Sequence, residues 1–200
     1  MMRRAKLWTA AALTLLAVSA GAQTLETGAL LVSSPALADP NFSQSVVLVL
    51  RHDDNGTIGV VVNRVTSLEP TEVFGELDGL LERYEGRLYR GGPVAPTQLL
   101  FLVQGLAAAV VDGPVIVDNV FVSGNPEILP ELAALAENEE GLRLYAGHAE
   151  WRGNQLAREI EAGSWLILPG SADLVFHADP PRLWREALAL TAEAVAAAPR

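Results

Sequence analysis

The chain has 200 residues, 50% of them hydrophobic and 19% charged, with a formal net charge of −10. That is too apolar for a disordered chain and long enough to bury a core, and the length suggests one domain. The absence of Cys excludes a disulfide framework, a thiol nucleophile, a Cys-based metal site and a lipoprotein anchor.

Residues 1–22 read as an export signal. Arg3, Arg4 and Lys6 precede an apolar run at 7–18, and Ala20-Gly21-Ala22 fits a cleavage site. The run is short of the ~20 residues needed to span a bilayer. Without the signal the chain keeps 11 basic residues, all Arg, against 24 carboxylates, a net charge of −13. Such a chain has no Schiff-base amine and no P-loop lysine, and its acidity opposes nonspecific binding to nucleic acid or anionic lipid. The expected organisation is a signal at 1–22, a linker at 23–27, one domain over 28–190 and an Ala-rich, fraying tail at 191–200.

Residues 29–33 read as a first strand. Asp39-Pro40 reads as a cap followed by proline, opening one helical turn through Phe42. The run at 45–51 is apolar on both faces, which predicts a strand buried on both sides. Asn55-Gly56 then predicts a hairpin to a return strand at 57–63. The spacing of Val73, Phe74, Leu77, Leu80 and Leu81 predicts a helix over 70–81. Short strands follow at 87–89, 98–103, 115–117 and 120–122. A helix capped by Asn125 runs to about residue 136, a strand covers 142–146, and a helix at 154–162 stops at Gly163. Strands are predicted at 165–168 and 174–177. Asp179-Pro180 opens a last helix, with Leu183, Trp184, Ala187 and Leu188 on one face. Hairpins mixed with helices make the expected class α+β with a mixed sheet.

Four stretches together resemble the AlgH/YqgE family: GALLVSSPALADPNFSQSVVLVLRHDDNGTIGVVVNR, GGPV at 91–94, WRGNQLAREIEAGSWL at 151–166, and Val175-Phe176 leading to Trp184. The resemblance implies a single α+β domain with a curved, mixed, partly barrel-like sheet flanked by helices. It implies no mechanism and no cofactor, and for most of the family a cytoplasmic location, against the export signal here. Val65 stands where the family usually has Pro, and His148 and Glu150 also depart from its pattern.

The polar residues of 33–64 are the first candidates for a site. Ser33 or Ser34 with His52 and Asp53 has the composition of a Ser-His-Asp triad, but no nucleophile elbow is present, and adjacent strand residues point to opposite faces. Ser34, Asp39, His52, Asn63, Arg64, Gly91 and Gly92 are therefore candidate ligand-binding residues. For Arg64 the ligand would be a bound anion, and the plainer role is a fork tying down a loop through Asp39 or a loop carbonyl; for Gly91-Gly92 the backbone N–H groups could surround an anion, and the plainer role is a turn needing positive φ. His148 with Glu150 and His177 with Asp179 are candidate metal ligands, without a ligand-spaced motif. Trp151, Trp165 and Trp184 are expected to pack in the core or an interface. The expected function is a non-catalytic binding or regulatory domain for a protein or small-molecule partner. The alternatives are a hydrolytic or metal-dependent enzyme using His52, His148 or His177, and a transcriptional regulator, which the charge opposes.

Overall fold

The computed structural model describes residues 24–77, 79–81, 84–105, 111, 113–135 and 140–197. The expected signal at 1–22 lies outside them. The apolar run after Ser45 forms strand β2 (Val46–Asp53), held between β1 (Leu30–Ser33) and β3 (Gly56–Val61) and antiparallel to both. Val46 and Leu48 enter one core while Val47 and Val49 enter another on the opposite face. Both faces are buried, so polar alternation is lost, as the sequence predicts.

The other strands are β4 (Leu88–Arg90), β5 (Val94–Val103), β6 (Val115–Val117), β7 (Val120–Ser123), β8 (Leu142–Arg152) and β9 (Trp165–Leu168). They form one curved sheet in the order β6-β7-β5-β8-β3-β2-β1-β9, with β4 paired to β8 off that path. The β4–β8 pairing is parallel and the other strand pairings are antiparallel, which makes the sheet mixed. Among the described residues the sheet does not close. Its end strands approach across a half-open cavity of about 320 Å³, lined by Gly28, Ile116, Ile167 and Gly170 among others.

The inner face holds Leu30, Val32, Leu48, Val60, Val62, Tyr89, Leu102 and Tyr145. Helix α4 (Ala172–Val175) and helix α5 (Pro180–Ala197) close it with Val175, Leu183 and Ala187. Buried Arg143 lies 5.2 Å from the Tyr89 ring centroid and 5.3 Å from that of Phe176. It donates to the carbonyls of Val175 (3.0 Å) and His177 (2.8 Å), fixing the end of α4. The outer face carries two separate layers. One joins Leu31, Val47, Val61, Ala149 and Trp151 to Leu156 of α3 (Gln155–Glu161). The other joins Leu88, Phe101, Leu142 and Leu144 to Phe74 and to Leu132 of α2 (Leu129–Leu135).

Several elements differ from expectation. The helix predicted over 70–81 is α1 (Pro70–Val73) followed by a 3-10 turn at Gly75–Leu77, because Gly75 weakens the helix and Gly79 takes φ +83°. No strand forms at 174–177: the Ser171 hydroxyl accepts from the Leu174 N–H and opens α4, which takes in 174–175 and ends before Phe176 and His177. Strand β8 runs six residues past 146 because the sheet carries on beyond Gly147, which takes φ +70°. Helix α5 continues through Ala197, into the segment expected to fray. The 125-capped helix starts as a 3-10 turn at Pro126–Ile128, with the Asn125 side chain accepting from Glu127 N–H as expected; its predicted end at 136 lies outside the described residues. Among the described residues no helix is long and apolar enough to cross a membrane.

Candidate functional site

Ser33, Asp39, Ser45, Asn63 and Arg64 converge on one turn, 39–45. Asp39 opens it: its carboxylate accepts from Asn41 N–H at 2.8 Å, and its carbonyl accepts from Phe42 and Ser43. Ser45 closes it, donating its N–H to Ser33 Oγ (2.9 Å) and its hydroxyl to the Phe42 carbonyl (2.7 Å). Gln44 sits at φ +55°, a left-handed conformation that costs a non-glycine residue roughly 1–2 kcal/mol. Asn63 holds it there. Its Oδ1 accepts from Val46 N–H at 2.9 Å, and its Nδ2 donates to the Gln44 carbonyl at 3.0 Å.

Two guanidinium groups reach the same turn. Arg64, just past β3, donates to the Pro40 carbonyl (3.3 Å) and the Ser43 carbonyl (2.8 Å). Arg90, at the end of β4, donates to Asn41 Oδ1 at 3.2 Å. The two are neighbours because Arg90 N–H bonds the Arg64 carbonyl at 2.8 Å. Burial pushes the Arg64 pKa down, Arg90 pushes it further the same way, and Asp39 opposes them. Among the described residues neither arginine has a carboxylate within 4.0 Å.

Gly91 and Gly92 lie beside this pair, for a different reason than the expected one. Neither takes a positive φ. Strand β4 is wedged between β3 and β8: Gly91 donates to the Ala146 carbonyl, and its own carbonyl accepts from Val61 N–H. A Cβ on Gly91 would lie 2.2 Å from the Gly147 oxygen, and one on Gly92 would lie 2.1 Å from the His148 oxygen. The glycines let three backbones meet. With its N–H used in the sheet, Gly91 has none to offer an anion.

The remaining candidates are dispersed. Ser34 Oγ is buried without a hydrogen-bond partner among the described residues. His52 is at the hairpin tip, with Nδ1 2.8 Å from Thr57 Oγ1. The turn there is Asp54-Asn55, and Gly56 takes the positive φ (+133°). Asp53 accepts from Asn55 N–H (2.8 Å), a bond that lowers the Asp53 pKa, with Arg51 adding to it. His148 and Glu150 share a face of β8, but Glu150 pairs with Arg152 (3.0 Å) and His148 Nδ1 has no partner among the described residues. His177 and Asp179 are not on a strand. His177 Nδ1 accepts from Asp179 N–H (3.1 Å) and its Nε2 meets Glu186 (2.8 Å). No group of three metal-ligating side chains is assembled among the described residues.

Sequence reasoning passed over Glu159. Its Oε2 accepts both the Trp151 indole N–H (3.0 Å) and the Trp165 indole N–H (2.8 Å), while Oε1 accepts from Gln155 (2.9 Å). Phe42 stacks on Trp151 with centroids 5.6 Å apart and meets Trp165 edge-on at 5.5 Å. The aromatic layer therefore ties α3, β8 and β9 to the 39–45 turn. A carboxylate between two tryptophans in WRGNQLAREIEAGSW was the available signal.

The family model described as DUF179, AlgH-like, matches residues 30–196. The chain belongs to the AlgH-like family. Its turn, its GGPV segment and its Trp151–Glu159–Trp165 cluster all lie inside the matched span. A UPF0301 protein of Streptomyces avermitilis is 40% identical over 168 residues, covering 81% of this chain and 84% of that one. A UPF0301 protein of Anaeromyxobacter sp. is 38% identical over 165 residues, covering 79% and 84%. The crystal structure of DIP2367 from Corynebacterium diphtheriae superposes with a TM-score of 0.64 at 28% identity, covering 82% of this chain and 85% of that one. The solution structure of AlgH from Pseudomonas aeruginosa gives 0.66 at 24% identity, covering 87% and 94%, a likeness of fold alone. The fold expected of an AlgH-like chain is the one observed.

Proposed function

We propose that this AlgH-like chain is a non-catalytic binding domain, with its working surface on the outer face around the 39–45 turn. The observation that carries this reading is how the turn uses its polar groups. Ser33, Asp39, Ser45 and Asn63 spend their hydrogen bonds on holding the backbone. A nucleophile needs a base in reach, and among the described residues Ser34 Oγ has no hydrogen-bond partner while His52 Nδ1 is engaged by Thr57. What the turn presents outward is the arginine pair, which favours a ligand or partner over a reaction.

Hydrolysis of p-nitrophenyl acetate and p-nitrophenyl phosphate by the purified protein, alone and with added Zn²⁺ or Mn²⁺, tests the reading. Rates at the buffer background are expected. Turnover that disappears in Ser34→Ala, His52→Ala or His148→Ala would overturn it in favour of an enzyme. We also propose export, on the pattern of residues 1–22. N-terminal sequencing of the protein recovered from cell fractions should find Gln23 first in an extracytoplasmic fraction. An intact Met1 in the cytoplasm would refute export.

A further inference from the structure

We infer that Arg64 and Arg90 form a binding site for a compact oxyanion of the phosphate type, seated against the 39–45 turn. The inference rests on the reading of this face as the working surface and names the chemistry that the face accepts.

Four observations support it. The first is convergence: two guanidinium groups on adjacent chain segments reach a single turn, at Pro40, Asn41 and Ser43. The second is spare capacity. A guanidinium has five N–H donors in a planar fork. Arg64 makes two hydrogen bonds and Arg90 one, so most of their donors have no protein acceptor among the described residues. The third is the missing counter-charge. Among the described residues neither Arg64 nor Arg90 has a carboxylate within 4.0 Å, a state they share with the exposed Arg158 and Arg185, whereas Arg51, Arg152 and Arg182 each have one. The fourth is electrostatic. Arg64 is half-buried, and burial and Arg90 disfavour its charged form more than Asp39, the acidic group facing it, restores it. A dianion between them relieves both penalties.

The chain's overall negative charge does not veto this. Carboxylates beyond the ~8–10 Å Debye length are screened at ordinary ionic strength, while the two arginines act at contact distance. The geometry also fixes the role of each residue. Arg64 belongs partly to the fold, because its carbonyl bonds brace the turn. Arg90 is exposed, and among the described residues its one side-chain bond is to Asn41, so it is the residue to change without disturbing the turn.

Isothermal titration of inorganic phosphate into the purified protein, with sulfate and acetate as separate arms, tests the site. Saturable binding of phosphate is expected. Sulfate competing and acetate binding more weakly would mark a tetrahedral dianion rather than a carboxylate as the ligand chemistry. Arg90→Ala should weaken phosphate binding by about tenfold or more, as for loss of a charge-assisted bond. Arg51→Ala, at an exposed arginine paired with Asp53 on the β2–β3 hairpin, should leave it unchanged. Unaltered binding in Arg90→Ala, or no saturable binding at millimolar phosphate, would overturn the site. Either result is separable from failure of the binding-domain reading, which turns on the appearance of turnover dependent on Ser34, His52 or His148.

Discussion

Glu159→Ala should be among the most damaging substitutions at a partly exposed position. The carboxylate accepts two indole N–H groups at 3.0 and 2.8 Å, from tryptophans that are each 2% exposed. Bonds to a charged acceptor contribute ~1.5–3 kcal/mol each, and a buried donor left without an acceptor costs a similar amount. Discounting for the half-exposed carboxylate, which regains hydration when unfolded, the loss should be about 3 kcal/mol. Glu159→Gln keeps one carbonyl oxygen for the indoles and should lose only about 1 kcal/mol. Urea unfolding followed by far-UV circular dichroism measures both, free of changes in tryptophan emission. In a Trp165→Phe background, the cost of Glu159→Ala should shrink by about the value of one bond, ~1.5 kcal/mol. A Glu159→Ala variant within about 0.5 kcal/mol of the parent would refute the claim that the carboxylate holds the aromatic layer together.

Gln44→Gly should stabilise the protein by roughly 0.5–1 kcal/mol in the same assay, since glycine relieves the left-handed strain at φ +55° and gives back part of the gain as unfolded-state entropy. Gly92→Ala should abolish soluble expression or lower stability by more than about 3 kcal/mol, because its Cβ would meet the His148 backbone, which has no flexible end to move. Asp53→Asn should destabilise modestly at neutral pH. The folded-state pKa of Asp53 is depressed, so its contribution is present above the ordinary value of 3.8 and is lost as pH falls below it through the lowered value. The gap between Asp53→Asn and the parent should therefore close toward acid, as read by thermal unfolding at a series of pH values; a gap that widens would contradict the assignment.

Local chemistry made some elements readable and left others out of reach. The β2–β3 hairpin is written in its own residues, by an apolar run buried on both faces and an Asp-Asn-Gly turn. The Asp179-Pro180 pair likewise announces α5, which begins at Pro180. Leu174 to His177 misled because four apolar-rich residues fit a strand and a helical turn equally well, and only the Ser171 cap decides between them. The long helix expected over 70–81 follows its spacing but ignores Gly75 and Gly79. The site was partly legible: Asp39, Asn63 and Arg64 were named from the sequence and do meet. Arg90 was not, because it becomes the neighbour of Arg64 only when β4 is inserted between β3 and β8. Glu159 was missed for a related reason: its two partners reach it from strands on either side of α3.

Two-dimensional ¹H–¹⁵N NMR of the labelled protein during a phosphate titration tests the central claim most directly. Shift changes should saturate together at Asn41 to Ser45, at the Arg64 and Arg90 side chains, and more weakly at the Trp151 and Trp165 indole N–H groups that Phe42 contacts. Changes centred on His52, His148 or the cavity between β6 and β9, or no saturating set at all, would contradict a binding surface at this turn.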